Sequence, residues 1–253
     1  MDKSKESSIS AILQQVTVDC KDNGKKFINT KRIEVIKELL AHSEYKLLHE
    51  GNLSLIYGKQ DVEMKSVVLV SSHIDCVFDK LFCKDYSSEY YQGTFDNSLT
   101  NACVLYDMIT NSLPDDVVVA FTGDEEEDSG GAYEVMRTFK KWRSKIRLAI
   151  VLDVTEEGWT KEHPFTIEND LGIDLLTGHK IIETVKPFEG SYTFIHDAEP
   201  DESWDYDEED IPCFTLCIPI KGDMHDDDGV LTRKSSLAIY SKVLSMLANS
   251  VHS

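Results

Sequence analysis

The chain has 253 residues, 41% hydrophobic and 28% charged, enough to bury a sizeable core without help from disulfides or metals. Lysine and arginine number 26 against 46 acids, a net charge of −20, which argues against nucleic acid or an anionic membrane surface as the main partner. No run approaches the roughly 18 uninterrupted apolar residues of a membrane span, and the opening MDKSKESS lacks the apolar stretch of a secretory signal. The six cysteines (Cys20, Cys76, Cys83, Cys103, Cys213 and Cys217) form no CxxC pair and read as free thiols of a cytoplasmic protein. Cys213 and Cys217 lie within an apolar run and read as strand packing rather than zinc ligands.

In chain order, helices are expected over 8–18 and 30–42. In the second, Ile33, Val35, Ile36, Leu39 and Leu40 recur at helical spacing behind Thr30 as N-cap. Residues 45–50 and 53–58 alternate around Gly51-Asn52 and predict a hairpin. Three runs, 66–72, 116–122 and 147–153, are too apolar and β-branched for half-exposed strands, and 212–220 resembles them. Helical patterns fill 97–111 and 130–142. A last helix runs from Thr232 to about Ala248, with Leu237, Tyr240, Val243, Leu244 and Leu247 on one face. Buried strands alternating with amphipathic helices predict an α/β fold, a three-layer α/β/α sandwich around a mostly parallel mixed sheet.

In such sheets functional groups gather at the carboxyl edge of the strands. There the chain carries His73-Ile74-Asp75, then Asp124-Glu125-Glu126-Glu127-Asp128, then Asp153, and past the fourth run Met224-His225-Asp226. Asp96, in GTFDNSLTNA, opens a helix just after the first run. Each has an ordinary explanation: an acid before a helix caps it, a lone histidine sits at the surface, and an acidic run is a solvated turn. That several strand or helix ends carry such residues together points to shared chemistry. Two imidazoles and three carboxylates offer mixed nitrogen and oxygen ligands for a pair of divalent ions, Zn²⁺ or else Co²⁺ or Mn²⁺. Ions about 3.5–4 Å apart need an anionic bridge, and one carboxylate can supply it. Side chains two apart on a strand share a face, so Asp75 can sit beside His73 and accept its second ring N–H. Of the adjacent Glu125 and Glu126, one can bind metal while the other faces water.

The segments VVLVSSHIDCV, GTFDNSLTNA, AFTGDEEEDSGGA, AIVLDV and IPCFTLCIPIKGDMHD, in this order, resemble the co-catalytic dinuclear zinc exopeptidases. That superfamily includes metallo-aminopeptidases, tripeptidases and related amidohydrolases, and the resemblance covers about three-quarters of the chain. It implies that Asp96 bridges two metals, that His73 and Asp153 complete one, and that Glu126 and His225 complete the other. Glu125 is then the general base and Asp75 the partner of His73. The last segment most resembles cage-forming aminopeptidases. Those insert a lid between the first motif and the bridging acid, whereas Asp96 follows His73 by only 23 positions. Carboxypeptidase-like relatives insert a dimerisation domain before the last histidine, and His225 follows Asp153 by 72 positions, too few for one. Asp128 also stands where the family often has glycine, though Gly131-Ala132 then matches. The expectation is a single catalytic domain over 1–253, lacking lid and dimerisation domain, a monomer or small homo-oligomer.

The implied function is an aminopeptidase or dipeptidase acting on a small peptide. The alternatives are an N-acyl amino acid deacylase, whose substrate is an acylated amino acid, and a non-catalytic metal-binding or interaction domain. The stretch 196–210 holds nine carboxylates and no lysine or arginine. It is either a solvated loop or a wall of the site, with Asp201 or Asp205 holding a substrate amine and Trp204 and Tyr206 lining a pocket. Residues 160–200, with His163, His179 and Glu168, carry no recognisable motif.

Overall fold

The computed structural model describes residues 3–18, 28–59, 64–78 and 80–251. Its frame is a mixed sheet whose inner strands are apolar on both faces. These are β3 (Ser66–His73), β6 (Val117–Thr122), β7 (Lys145–Thr155) and β10 (Cys213–Lys221), parallel to one another in the order β6-β3-β7-β10. The predicted hairpin, β1 (Tyr45–Glu50) and β2 (Ser54–Lys59), extends one side antiparallel through β2 against β6.

On the other side β10 divides its partners. Cys213–Cys217 pair with β8 (Phe165–Leu171), which carries β9 (Tyr192–Ile195). Ile220 and Lys221 pair with β11 (Val230–Arg233), which continues into β5 (Tyr90–Gly93) and β4 (Cys83–Asp85). Pro219, which lacks an N–H to donate, stands where the partner changes.

Alternation sorts the strand residues into two cores. Val68, Val70, Val117, Val119, Phe121, Ile150, Leu152, Phe214 and Leu216 face one layer. That layer holds α1 (Lys3–Val16), α2 (Thr30–Leu40), α3 (Ser98–Ile109), α5 (Leu175–Val185) and α7 (Lys234–Ser250). Val67, Leu69, Val118, Ala120, Ala149, Val151 and Cys213 face α4 (Gly130–Trp142) and α6 (Glu202–Glu208). The observed architecture is the α/β/α sandwich with a mixed central sheet, parallel in its four inner strands and chiefly antiparallel outside them.

Several sequence expectations need correction. Helix α1 starts at Lys3, because its first turns are polar and exposed and leave no apolar periodicity to read. Asn29, not Thr30, caps α2, its side chain accepting the Arg32 N–H at 3.0 Å. Residues 230–233 form β11 rather than the start of the last helix, since the sheet offers β5 as a partner. Within 196–210 the chain is not wholly loop: Asp201 caps α6 by accepting the Ser203 N–H at 2.7 Å. Cys76 is disulfide-bonded, so the six cysteines are not all free, while Cys83, Cys103, Cys213 and Cys217 are. Cys20 lies outside the described residues. Among the described residues no helix is long and apolar enough to cross a membrane.

Candidate active site

Continuing the alternation along the α4–α6 face of the sheet, apolar side chains give way to polar ones at the carboxyl edge. Ser71 and His73 follow Leu69 on β3, and Asp153 follows Val151 on β7. His73 and Asp153 thus leave adjacent strands on one side of the sheet. Asp153 stands two residues before its strand ends, at Thr155.

Asp96 reaches them from the loop between β5 and α3, where the Asp96–Asn97 peptide is cis. The start of α3 is tied to both strands. Asn97 donates its side-chain amide to the Leu152 carbonyl at 2.6 Å, and Asn101 donates to the His73 carbonyl at 2.7 Å. The cap position belongs to Asn97 and not to Asp96, which leaves Asp96 uncommitted to the helix.

Glu125 and Glu126 lie in the loop after β6. Its base is clamped by the Gly123 N–H donating to Leu53 O at 2.8 Å and the Gly131 N–H donating to Gly123 O at 2.9 Å. A methyl group on Gly131 would lie 2.5 Å from Gly123 O and 2.6 Å from Gly123 N, so the clamp closes only over glycine. Alternation does not place Asp75, because β3 ends at His73. The following loop does: Asp75 Oδ1 lies 3.4 Å from His73 Nδ1, and Oδ2 accepts the Glu126 N–H at 3.3 Å. His225 comes from the β10–β11 loop and is half exposed, whereas His73 and Asp96 are buried.

All seven residues singled out in the sequence therefore meet in one place. His73 Nε2 lies 3.0 Å from Asp96 Oδ1, 3.5 Å from Asp153 Oδ1 and 4.0 Å from Glu125 Oε2. His225 Nε2 lies 3.3 Å from Glu126 Oε2 and 3.7 Å from Asp96 Oδ2. Their ligand atoms form one group from His73, Asp96 and Asp153 and another from Asp96, Glu126 and His225, with atoms within 4.8 Å of one another in each. Asp96 belongs to both. A third such group joins His73 with Glu125 and Glu126.

Both ring nitrogens of His73, Oδ1 of Asp96 and Oε1 of Glu126 are buried without a well-formed hydrogen bond, and the nearest polar atoms to the first three belong to other members of the cluster. Orphaned donor and acceptor atoms are costly in a protein interior, and a divalent cation satisfies a set of carboxylate and imidazole atoms at once. The residues present fit metal.

The electrostatics follow from the crowding of acids. Burial pushes Glu125 up to about 9, reinforced by the carboxylates of Asp153, Asp96 and Glu202 against the opposing pull of His73. Burial likewise raises Glu126 to about 7 and Asp153 to about 6. For Asp96 burial is outweighed by His73 and His225, which hold it below the usual carboxylate range. Burial disfavours protonated His73, but Glu125 and Asp96 overcome it and hold the imidazole well above its ordinary value.

A cavity of about 560 Å³ opens from this cluster, bounded by Asp96, Glu125, Glu126, Asp153 and His225 on one side. Residues Asp197–Asp201 form part of the opposite wall, so the acidic stretch does approach the site. Trp204 and Asp205 do not line it, and Trp204 is 46% exposed. Tyr206 is fully buried, its hydroxyl donating to Ser71 Oγ at 2.9 Å.

Two acids were missed by motif. Glu202 on α6 is 1% exposed, accepts from Ser71 Oγ at 2.8 Å, and its charge helps raise Glu125. Glu168 on β8 is 5% exposed and lines the cavity. The polar Ser71-Ser72 pair ending an apolar run, and the Phe-Thr-Ile-Glu alternation of β8, were the signals that could have revealed them.

This fold and this cluster of acids and imidazoles are those of a zinc-dependent metallo-exopeptidase of the co-catalytic, dinuclear superfamily. The chain belongs to Peptidase family M28, whose family model matches residues 53–215. Among solved structures it is similar to the aminopeptidase APDkam598 from the archaeon Desulfurococcus kamchatkensis, with a TM-score of 0.73 and 11% identity, covering 95% of this chain and 94% of that one. Aminopeptidase PepT from Bacillus cereus gives a TM-score of 0.71 at 9% identity, over 97% and 98% of the two chains. The Pyrococcus horikoshii TET1 peptidase, which can assemble into a tetrahedron or a large octahedral shell, gives 0.68 at 12%, over 96% and 99%. At these identities the likeness is one of fold. No curated protein sequence matches the chain significantly.

Proposed function

We propose that this member of the family is an aminopeptidase or dipeptidase of short peptides, working as a single catalytic domain over residues 1–253 without lid or dimerisation domain. Two divalent ions, zinc or alternatively cobalt or manganese, would be held by His73, Asp96 and Asp153 and by Asp96, Glu126 and His225. When bound, such a pair supplies Lewis-acid polarisation of the scissile carbonyl and acidifies water. Asp75 holds the His73 ring through Nδ1, leaving Nε2 directed at the cluster. Glu125 takes a proton from the attacking water and delivers it to the leaving amine. Its placement beside His73 without belonging to either Asp96-centred group suits a proton carrier.

The observation that carries this proposal is Asp96, buried and common to two groups of ligand atoms. The deacylase alternative is less well served. Its acylated amino acid would bring a carboxylate into a cavity lined by acids, with no lysine or arginine to receive it. The test is metal analysis of the purified protein, with rates on leucyl-anilide and N-acetyl amino acid substrates, with and without added Zn²⁺ or Co²⁺. Hydrolysis of the free-amine substrate alone is expected. Hydrolysis confined to the N-acetyl substrate would select the deacylase, and inactivity together with no bound metal would select a non-catalytic role.

A further inference from the structure

The far wall of the cavity is built differently from the catalytic side. Strand β10 pairs Cys217 with Asp153 of β7 and with Thr166 of β8, and Thr215 with Glu168. Paired residues, and residues two apart, share a face of the sheet. Glu168 therefore stands on the same face as Asp153, across β10 and deeper by one pleat repeat. It is 95% removed from solvent, since only 5% of it is exposed, and it still lines the cavity.

Glu168 accepts from Thr166 Oγ1 and from the Thr155 hydroxyl, and the charged groups felt there are the acids Asp201 and Asp153. No cation faces it. Hydroxyl donors orient a carboxylate but do not neutralise it, and a buried carboxylate without a counter-charge is costly. Among the residues that line the cavity with Glu168 and the catalytic cluster, Ile195, Cys217 and Met224 supply apolar surface. An aliphatic stem with a cationic head matches this sequence of surfaces, the stem along the apolar wall and the head at the acid.

We propose that the cavity selects substrates whose residue ahead of the scissile bond is lysine or arginine, and that Glu168 is the specificity-determining residue. The inference rests on the aminopeptidase reading of the same site. Asp201 is secondary, because its carboxylate is already engaged by the Ser203 N–H and by the Asn169 side chain, at 2.7 and 3.3 Å.

The test compares lysyl-, leucyl- and glutamyl-anilides on the zinc- or cobalt-loaded protein. It is paired with calorimetric binding of lysinamide and norleucinamide, which differ only by the terminal ammonium. The expected result is a kcat/KM and a binding preference for the lysyl compounds on the order of tenfold or more, as a buried charge-assisted hydrogen bond provides. Glu168→Gln keeps an acceptor for both threonines; it should remove most of that preference, lowering kcat/KM for lysyl-anilide and the affinity for lysinamide several-fold more than those for leucyl-anilide and norleucinamide. Glutamyl-anilide should be the poorest substrate of the three. Equal treatment of lysyl and leucyl compounds by the native protein, or an unchanged ratio in Glu168→Gln, overturns the inference. If no anilide is cleaved, the aminopeptidase reading fails, and the pocket is then judged by calorimetry alone. A lysinamide preference lost in Glu168→Gln upholds it, and equal binding of the two amides ends it.

Discussion

Glu125 and Glu126 are neighbours in sequence with different surroundings, and the difference fixes what each substitution should do. Glu126 Oε2 lies 3.3 Å from His225, within a group of three ligand atoms, whereas Glu125 approaches His73 at 4.0 Å. Glu125→Gln should keep the full metal complement and lose turnover by a factor on the order of 10² or more, since an amide cannot carry the proton. Metal analysis beside single-turnover rates checks both halves; loss of metal in that variant would remove Glu125 from the role of base. His225→Ala should cost one of the two ions and leave the fold intact, because His225 is half exposed on a loop. Full occupancy in that variant would refute the ligand set.

Most of the residues gathered at this site were legible in the sequence because each closes a short apolar run or opens a helix, and strand ends are readable from composition. Glu168 and Glu202 were not. Their partners, Thr166 and Ser71, become meaningful only once alternation is anchored to a known face, and α6 brings Glu202 to Ser71 from 131 positions away.

At the scale of elements, the loop that carries the two glutamates depends on how closely α4 approaches β6. Gly131→Ala places a methyl group within 2.5–2.8 Å of backbone atoms of Gly123 and Leu53, none of which is a flexible side-chain end. The clamp must open, moving Glu125 and Glu126 with it. The expected outcome is a lowered melting temperature together with a fall in kcat larger than any change in KM. An unchanged kcat would show that the loop holds its place without the clamp.

The helices and inner strands that long apolar patterns announce were found where periodicity put them. The short strands β4, β5, β8, β9 and β11 were invisible, as were helices α5 and α6, and for the strands the reason is a common physical one. They are three to seven residues long, too short for a periodic pattern, and their identity is decided by the partner that tertiary structure supplies. The cap of α2 shows the same limit at finer grain: Asn29 and Thr30 are both good cap formers, and which one serves depends on the local backbone, extended at Asn29.

For the whole molecule, buried acids outside the metal cluster make stability depend on pH. Asp107 on α3 is fully buried, and burial pushes it up to about 7, moderated by a hydrogen bond from Ser241 and by Lys5 at 4.0 Å. Between its unfolded value near 4 and about 7, the folded protein keeps a proton that the unfolded chain has released. Stability therefore falls as pH rises through that window and levels off above it. Asp107→Asn should flatten this part of the profile for the metal-free protein, measured as urea midpoints from pH 4.5 to 8. A profile as steep as the native one would show that Asp107 is not a source of the slope.

The seven residues of α6 join two jobs in one rigid piece. Its capping acid, Asp201, stands in the cavity wall, while Glu202 and Tyr206 are both tied to β3 through Ser71. Refashioning that wall for a different diet by inserting or deleting residues in 197–201 would drag the chemistry along with it. Point changes on β8, which bears no such double duty, are the cheaper route by which descendants of this protein could acquire new tastes.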